Sequence, residues 1–151
     1  MISIELQRRR DDLRDKLLPA MRKGLNLREL HESMGDEAVQ IIEDRFLNSK
    51  DPNGVRWEPI KDYVYRGQVR SKTDSPLRFH TLYKSFGYEA NQKEVRVGTP
   101  LDYAKFHTDF PDNNGGPRRY IPLREFMGIT TDADYNKLLD VVDDATKALL
   151  P

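Results

Sequence analysis

The chain has 151 residues, of which 25 are basic and 25 acidic, and no cysteine. That length suits one domain, residues 1–151; balanced charge leaves no whole-molecule field to draw it onto nucleic acid or an anionic membrane; and missing thiols exclude a disulfide framework, a thiolate zinc site and a cysteine nucleophile. The start, MISIELQRRRDDLRDK, lacks a long apolar core, and no run approaches the roughly eighteen apolar residues of a membrane span, so the expectation is a soluble, unprocessed protein with no membrane partner.

The first predicted element is a helix over residues 3–18, in an N-terminal arm of residues 1–25. Leu6, Leu13 and Leu17 lie on one side of it, and Pro19 and Gly24 close it. A longer helix is predicted over 26–48. Asn26 caps it and Glu29, three residues on, reaches back to the cap amide. Leu30, Met34, Ala38, Ile41, Ile42 and Phe46 recur on one face, and Gly35 interrupts them at a cost of about 1 kcal/mol, which predicts a kink or a close helix contact there.

Residues 49–75 read as a mobile basic loop without periodicity. At its start Asp51, Pro52, Asn53 and Gly54 predict a turn. The single tryptophan, Trp57, follows with Pro59 and Ile60. The expectation is that it folds back as a buried anchor on Ile41, Ile42 and Phe46.

A hairpin region with loops is predicted over 76–128. SPLRFHTLYKSF reads as a helix capped by Ser75 with Pro76 at its first position, and GYEANQKEVRVGT as a β-hairpin in which Tyr88 and Ala90 alternate on one strand and Val95 and Val97 on the other. PLDYAKFHTDF suits one or two helical turns, PDNNGGP is a loop, and RRYIPLREFMGI is extended because Ile121 precedes a proline. The stretch from 129 to 151 is the last amphipathic helix, with Tyr135, Leu138, Leu139, Val142 and Leu149 on one stripe. The fold class is therefore α+β: amphipathic N-terminal helices, a small antiparallel hairpin or sheet, long loops, and a C-terminal helix packed on the sheet.

Charge is unevenly distributed along this plan. Residues 51–124 hold 13 basic and 9 acidic residues, and residues 125–151 hold 2 and 6. Such asymmetry suits an ordinary solvated surface, or head-to-tail contact between copies.

Signals for chemistry are few. His31, His80 and His107 have no paired ligand spacing, so neither a metal nor a cofactor is expected. His107 near Asp109 and Asp112 admits a hydrolytic reading, against an imidazole packed by Tyr103 or Phe106. Adjacent acids such as Asp143 and Asp144 point in different directions on a helix, and the serines sit in no nucleophile motif, so no enzyme is expected and no residue is assigned catalysis. The basic and aromatic stretch 56–84, with Arg66, Arg70 and Lys72, leaves a small nucleic-acid-binding protein as the rival reading.

RFLNSKDPNGVRWEPI, then LRFHTLYKSFGYEANQKEVRVGTPLDYAKFHTDF, then RRYIPLREFMGI before an amphipathic helix, resembles the virion morphogenesis or tail completion proteins of Mu-like and P2-like contractile-tailed phages. The residues that carry the resemblance are Arg45, Phe46, Asp51, Pro52, Gly54, Trp57 and Pro59, then Gly98 and Tyr103, then Pro122, Arg124, Phe126 and Gly128. It implies a structural virion protein at the head-tail junction, made in the host cytoplasm, acting in tail completion or as a neck or tail terminator protein. Implied partners are copies of itself in a ring, commonly a hexamer, other neck, tube terminator or portal-proximal proteins, and DNA in the channel, faced by Arg66, Arg70 and Lys72. The family's pattern supplies no catalytic residue, cofactor or metal. The glycine-bearing loop NNGGPRRY departs from the pattern.

Overall fold

The computed structural model describes residues 2–57, 63–65, 68–70, 80–107 and 124–149. Its first helix, α1 (Ile2–Arg22), continues through Pro19, where the sequence predicted an end. A proline inside a helix loses one backbone bond and crowds the carbonyl four residues earlier. Here it sits in the closing turns, so little helix remains to be disturbed. The stop comes at Gly24, whose φ of 93° is open to glycine without strain. Around it Leu25 donates to the Ala20 carbonyl at 3.0 Å and Gly24 to that of Met21 at 3.1 Å, which satisfies carbonyls the helix end would leave open.

Helix α2 (Leu27–Asn48) starts at the predicted cap. The Arg28 amide donates to Asn26 Oδ1 at 3.1 Å, while Glu29 accepts from the Asn26 side-chain amide at 2.8 Å and not from its backbone. Two compact units divide the chain: residues 1–38, 88–97 and 132–151 form the first, and 39–87 and 98–131 the second. The first half of α2 belongs to one, the second half to the other.

In the first unit, α4 (Asp132–Lys147) packs against α1, with Lys16 Nζ on Asp143 Oδ1 at 2.6 Å across the seam. Ala20, one turn beyond Lys16, is fully buried, as are Val142 and Thr146. The strands β3 (Gly87–Ala90) and β4 (Val95–Gly98) are four residues each, and helices with small antiparallel strand pairs make the fold α+β, as the sequence predicts.

The β3–β4 pair is the hairpin predicted from alternation. Asn91 organises its turn: its amide donates to the Glu94 carbonyl at 3.0 Å, and its Oδ1 accepts from Lys93 and Glu94. Two contacts fix this hairpin to α2. The Tyr88 ring lies over Gly35, where no side chain stands, and His31 Nδ1 donates to the Asn91 carbonyl at 2.6 Å.

In the second unit the C-terminal half of α2 buries Ile41, Ile42 and Phe46, as its periodicity predicted, together with Leu82, Phe86, Ala104 and Phe126. One helical turn, α3 (His80–Tyr83), and a 3-10 helix, Asp102–His107, carry part of this core. The caps predicted for α3, Ser75 and Pro76, lie outside the described residues. Within the stretch expected to be loop, β1 (Tyr63–Tyr65) and β2 (Gln68–Arg70) pair antiparallel, Tyr63 opposite Arg70 and Tyr65 opposite Gln68. Three-residue strands are too short for alternation to register, which corrects the loop expectation.

Candidate functional site

Helix α2 ends with Ser49 at φ 54°, a left-handed conformation that an L-residue adopts at a cost of about 1–2 kcal/mol. Lys50 donates to the Arg45 carbonyl at 3.0 Å and Ser49 to that of Phe46 at 3.3 Å, the same closure glycine makes after α1. The chain then doubles back. Asp51 donates its amide to the Val55 carbonyl at 2.8 Å, Gly54 donates to the Asp51 carbonyl at 3.0 Å, and Trp57 donates to that of Ser49 at 2.8 Å. Pro52 sits where a turn wants its fixed φ, and Gly54, at φ 82°, takes the left-handed position that completes a three-residue hairpin loop. Asp51 Oδ1 accepts from both Asn53 and Val55, at 2.9 and 2.8 Å, and locks the loop.

This small hairpin delivers Trp57 to the core. The ring is only 7% exposed and meets Phe46 edge-on, with centroids 5.3 Å apart and planes at 75°. Its Nε1 donates to the Glu125 carbonyl at 3.2 Å. Phe46 is also within 5.3 Å of Phe126 and 5.8 Å of Phe86, so it is the centre of the aromatic cluster. Arg45, buried next to it, donates Nη1 to the Phe126 carbonyl at 2.6 Å, a charge-assisted bond between α2 and the segment before α4. Thr130 Oγ1 reaches the Pro52 carbonyl at 3.0 Å, which ties that segment to the hairpin a second time.

Of the residues singled out from the sequence, Phe46, Asp51, Pro52, Gly54, Trp57, Phe126 and Arg124 come together in or around this core, Arg124 buried and its amide donating to the His107 carbonyl at 2.8 Å. Gly128, at φ 107°, turns the chain just after Phe126. Gly98 ends β4, and Tyr103, on the 3-10 helix, faces outward. Pro59, Pro122, Arg66 and Lys72 lie outside the described residues, and Arg70 is placed only by the backbone of β2. His107 is buried; Asp109 and Asp112, the acids of the hydrolytic reading, are outside the described residues. No cluster of three metal-ligating side chains occurs among the described residues, and no helix there is long and apolar enough to cross a membrane.

Two partners escaped the sequence reading: the roles of Arg45 and His31. Arg45 falls four residues after Ile41, on the apolar stripe itself, and a cation there requires a polar partner inside. That signal was available. His31 carried none, since its acceptor is a carbonyl sixty residues away.

Comparison with known families returns the phage virion morphogenesis family, matched over residues 9–147. Comparisons with curated proteins and with solved structures return no match. A match over almost the whole chain, with the long helix, the hairpin that seats Trp57 and the closing helix in order, means that this chain belongs to the phage virion morphogenesis family and has a structural role in building the virion.

Proposed function

We propose that the protein completes the phage tail and joins it to the head, assembling with copies of itself as a ring around the DNA channel, without catalysis. The family match over residues 9–147 carries this reading. The geometry supports it from the other side: Phe46, Asp51, Pro52, Gly54 and Trp57, which carry the resemblance, serve turn closure and aromatic packing. Neighbouring neck, terminator or portal-proximal proteins are the further partners. The basic stretch with Arg66, Arg70 and Lys72 faces the channel DNA in this proposal.

Deleting the gene from the phage or prophage that carries it tests the proposal. Electron microscopy of induced lysates should show filled heads and tails that remain unjoined or unfinished, with normal virions restored by the gene in trans, and mass spectrometry should find the protein in purified particles. Intact, infectious virions from the deletion would refute it. The nucleic-acid-binding rival predicts instead a free protein that binds duplex DNA with steep salt dependence and loses it when Arg66, Arg70 and Lys72 become Ala.

A further inference from the structure

The hairpin that seats Trp57 has a second side. Lys50 and Arg56 bridge its strands antiparallel, and the bonds on either flank, Asp51 to Val55 and Trp57 to Ser49, make theirs a non-hydrogen-bonded pair. This is the closest kind of cross-strand pair, with Cα atoms about 4.5 Å apart and side chains on the same face. Successive residues of a strand alternate sides, so with Trp57 turned into the core, Arg56 and Lys50 point outward. Both are exposed, and neither is in an ion pair among the described residues. Two cations directly opposite repel and destabilise the ribbon that carries them. The chain holds them there on a turn closed by backbone bonds and by Asp51 Oδ1.

Helix α4 carries the opposite arrangement. Asp140 and Asp144 are four residues apart on one exposed face, with Cβ atoms about 5–6 Å from each other, again a like-charge pair that costs stability. Among the described residues Asp140 is in no ion pair, and Asp144 has only Lys147, at 3.6 Å and in open solvent. The other acid of the last turns, Asp143, is taken by Lys16.

We propose that the Lys50 and Arg56 face of one copy docks on the Asp140 and Asp144 face of α4 in a second copy. The two pairs match in sign, number and spacing, each is held by a regular backbone, and each relieves in the other a repulsion the free chain must bear. Because the two faces are different surfaces, the contact is head-to-tail and leaves a complementary face open at each end. Charge pairing at such a contact sets orientation and partner choice, and weakens with salt. This inference rests on the self-assembly in the proposed function, but on none of its virion partners.

Sedimentation velocity of the full chain across protein and salt concentration tests it, using K50E/R56E, D140K/D144K and an equimolar mixture of the two. The wild type should self-associate and dissociate as salt rises. Each double reversal should raise the dissociation constant about tenfold or more while circular dichroism stays unchanged, since all four positions are exposed. The mixture should associate again, because each variant supplies the face its partner now fits, and the quadruple variant should associate alone. Association of both double reversals at wild-type strength would overturn the docking and leave self-assembly standing. A wild type that stays monomeric at low salt and high concentration would overturn it too, while the head-tail role would still be decided by the deletion phenotype. Duplex DNA binding lost in K50E/R56E, with D140K/D144K associating as the wild type does, would reassign the basic pair to nucleic acid.

Discussion

Gly35→Ala separates helix propensity from tertiary fit in a single methyl group. In an exposed helix the change is worth about 1 kcal/mol in favour of Ala. Here the added Cβ would press on Tyr88 Cγ and lie 2.6 and 2.8 Å from Cδ2 and Cδ1. Spinning the ring about χ2 leaves Cγ where it is, so relief needs a change of χ1, which takes the ring off α2, or a shift of the hairpin backbone. Overpacking of this kind costs about 1–3 kcal/mol, and three ring atoms within 3.0 Å of the new methyl put it in the upper half of that range. The net expectation is a loss of about 1–2 kcal/mol. In a Tyr88→Ala background the obstacle is gone and the same substitution should stabilise by about 1 kcal/mol, a coupling of about 2–3 kcal/mol across the cycle. Urea unfolding followed by far-ultraviolet circular dichroism measures all four proteins. If Gly35→Ala stabilises to the same extent with and without the Tyr88 ring, the hairpin does not rest on α2 at Gly35 and the reasoning fails.

Three further outcomes follow from the geometry. Trp57→Ala removes a buried ring and its bond to the Glu125 carbonyl, and should cost about 3–5 kcal/mol in thermal unfolding monitored by circular dichroism. Ser49→Gly relieves the left-handed strain at the end of α2, partly offset by the greater freedom of glycine in the unfolded chain, so a gain of about 0.5–1 kcal/mol is expected, and a loss would show that the serine side chain is needed. The hydrogen bond to Asp36, with desolvation and the charges of Asp36 and Glu32 acting in the same direction, raises the Tyr88 phenol above its ordinary 10.0. Because the folded value is raised, this stabilisation is complete below pH 10.0 and is lost as pH climbs through the folded value. The tyrosinate absorbance difference between wild type and Tyr88→Phe should therefore titrate above pH 10.0, and Asp36→Asn should bring it down.

What could be read from the sequence was whatever the backbone enforces locally. The stripe from Leu30 to Phe46 has the period of a helix, Asn26 has the chemistry of a cap, and DPNG has the residues a turn with one left-handed position demands. Even the burial of Trp57 follows, because a large apolar ring after a tight turn has the end of α2 within reach. The rest depends on partners remote in sequence. Pro19 argued for a helix end, but the propensity of one residue yields to the closure available at Gly24 and the burial of Ala20. The contact of α4 with α1 is not legible, because an amphipathic stripe specifies that a face is buried and not against what. Gly35 in the helix signals a kink or a close helix contact, whereas what lies over it is Tyr88, in a hairpin whose docking no local pattern encodes. As for the surface, Lys50 and Arg56 are unremarkable as letters, and only the hairpin register makes them a pair.

That register also explains how one short stretch serves two purposes without conflict. Alternation assigns Ser49, Asp51 and Trp57 to one side of the ribbon and Lys50 and Arg56 to the other. On the inward side the demands are steric and severe: a left-handed residue at the helix end, a carboxylate to bind two amides, a proline, a glycine, and an indole that fits against Phe46. Apart from relief of the strain at Ser49, changes to these groups cost fold stability. On the outward side the fold asks for nothing; indeed it would be slightly more stable with the two cations separated. Substitutions on the inward face should therefore be read out as unfolding, and those on the outward face as altered association of a folded chain. The two effects are separable by comparing Trp57→Ala with K50E/R56E in the same pair of assays. A K50E/R56E chain that unfolds, or a Trp57→Ala chain that folds normally but fails to associate, would reverse the assignment of the two faces.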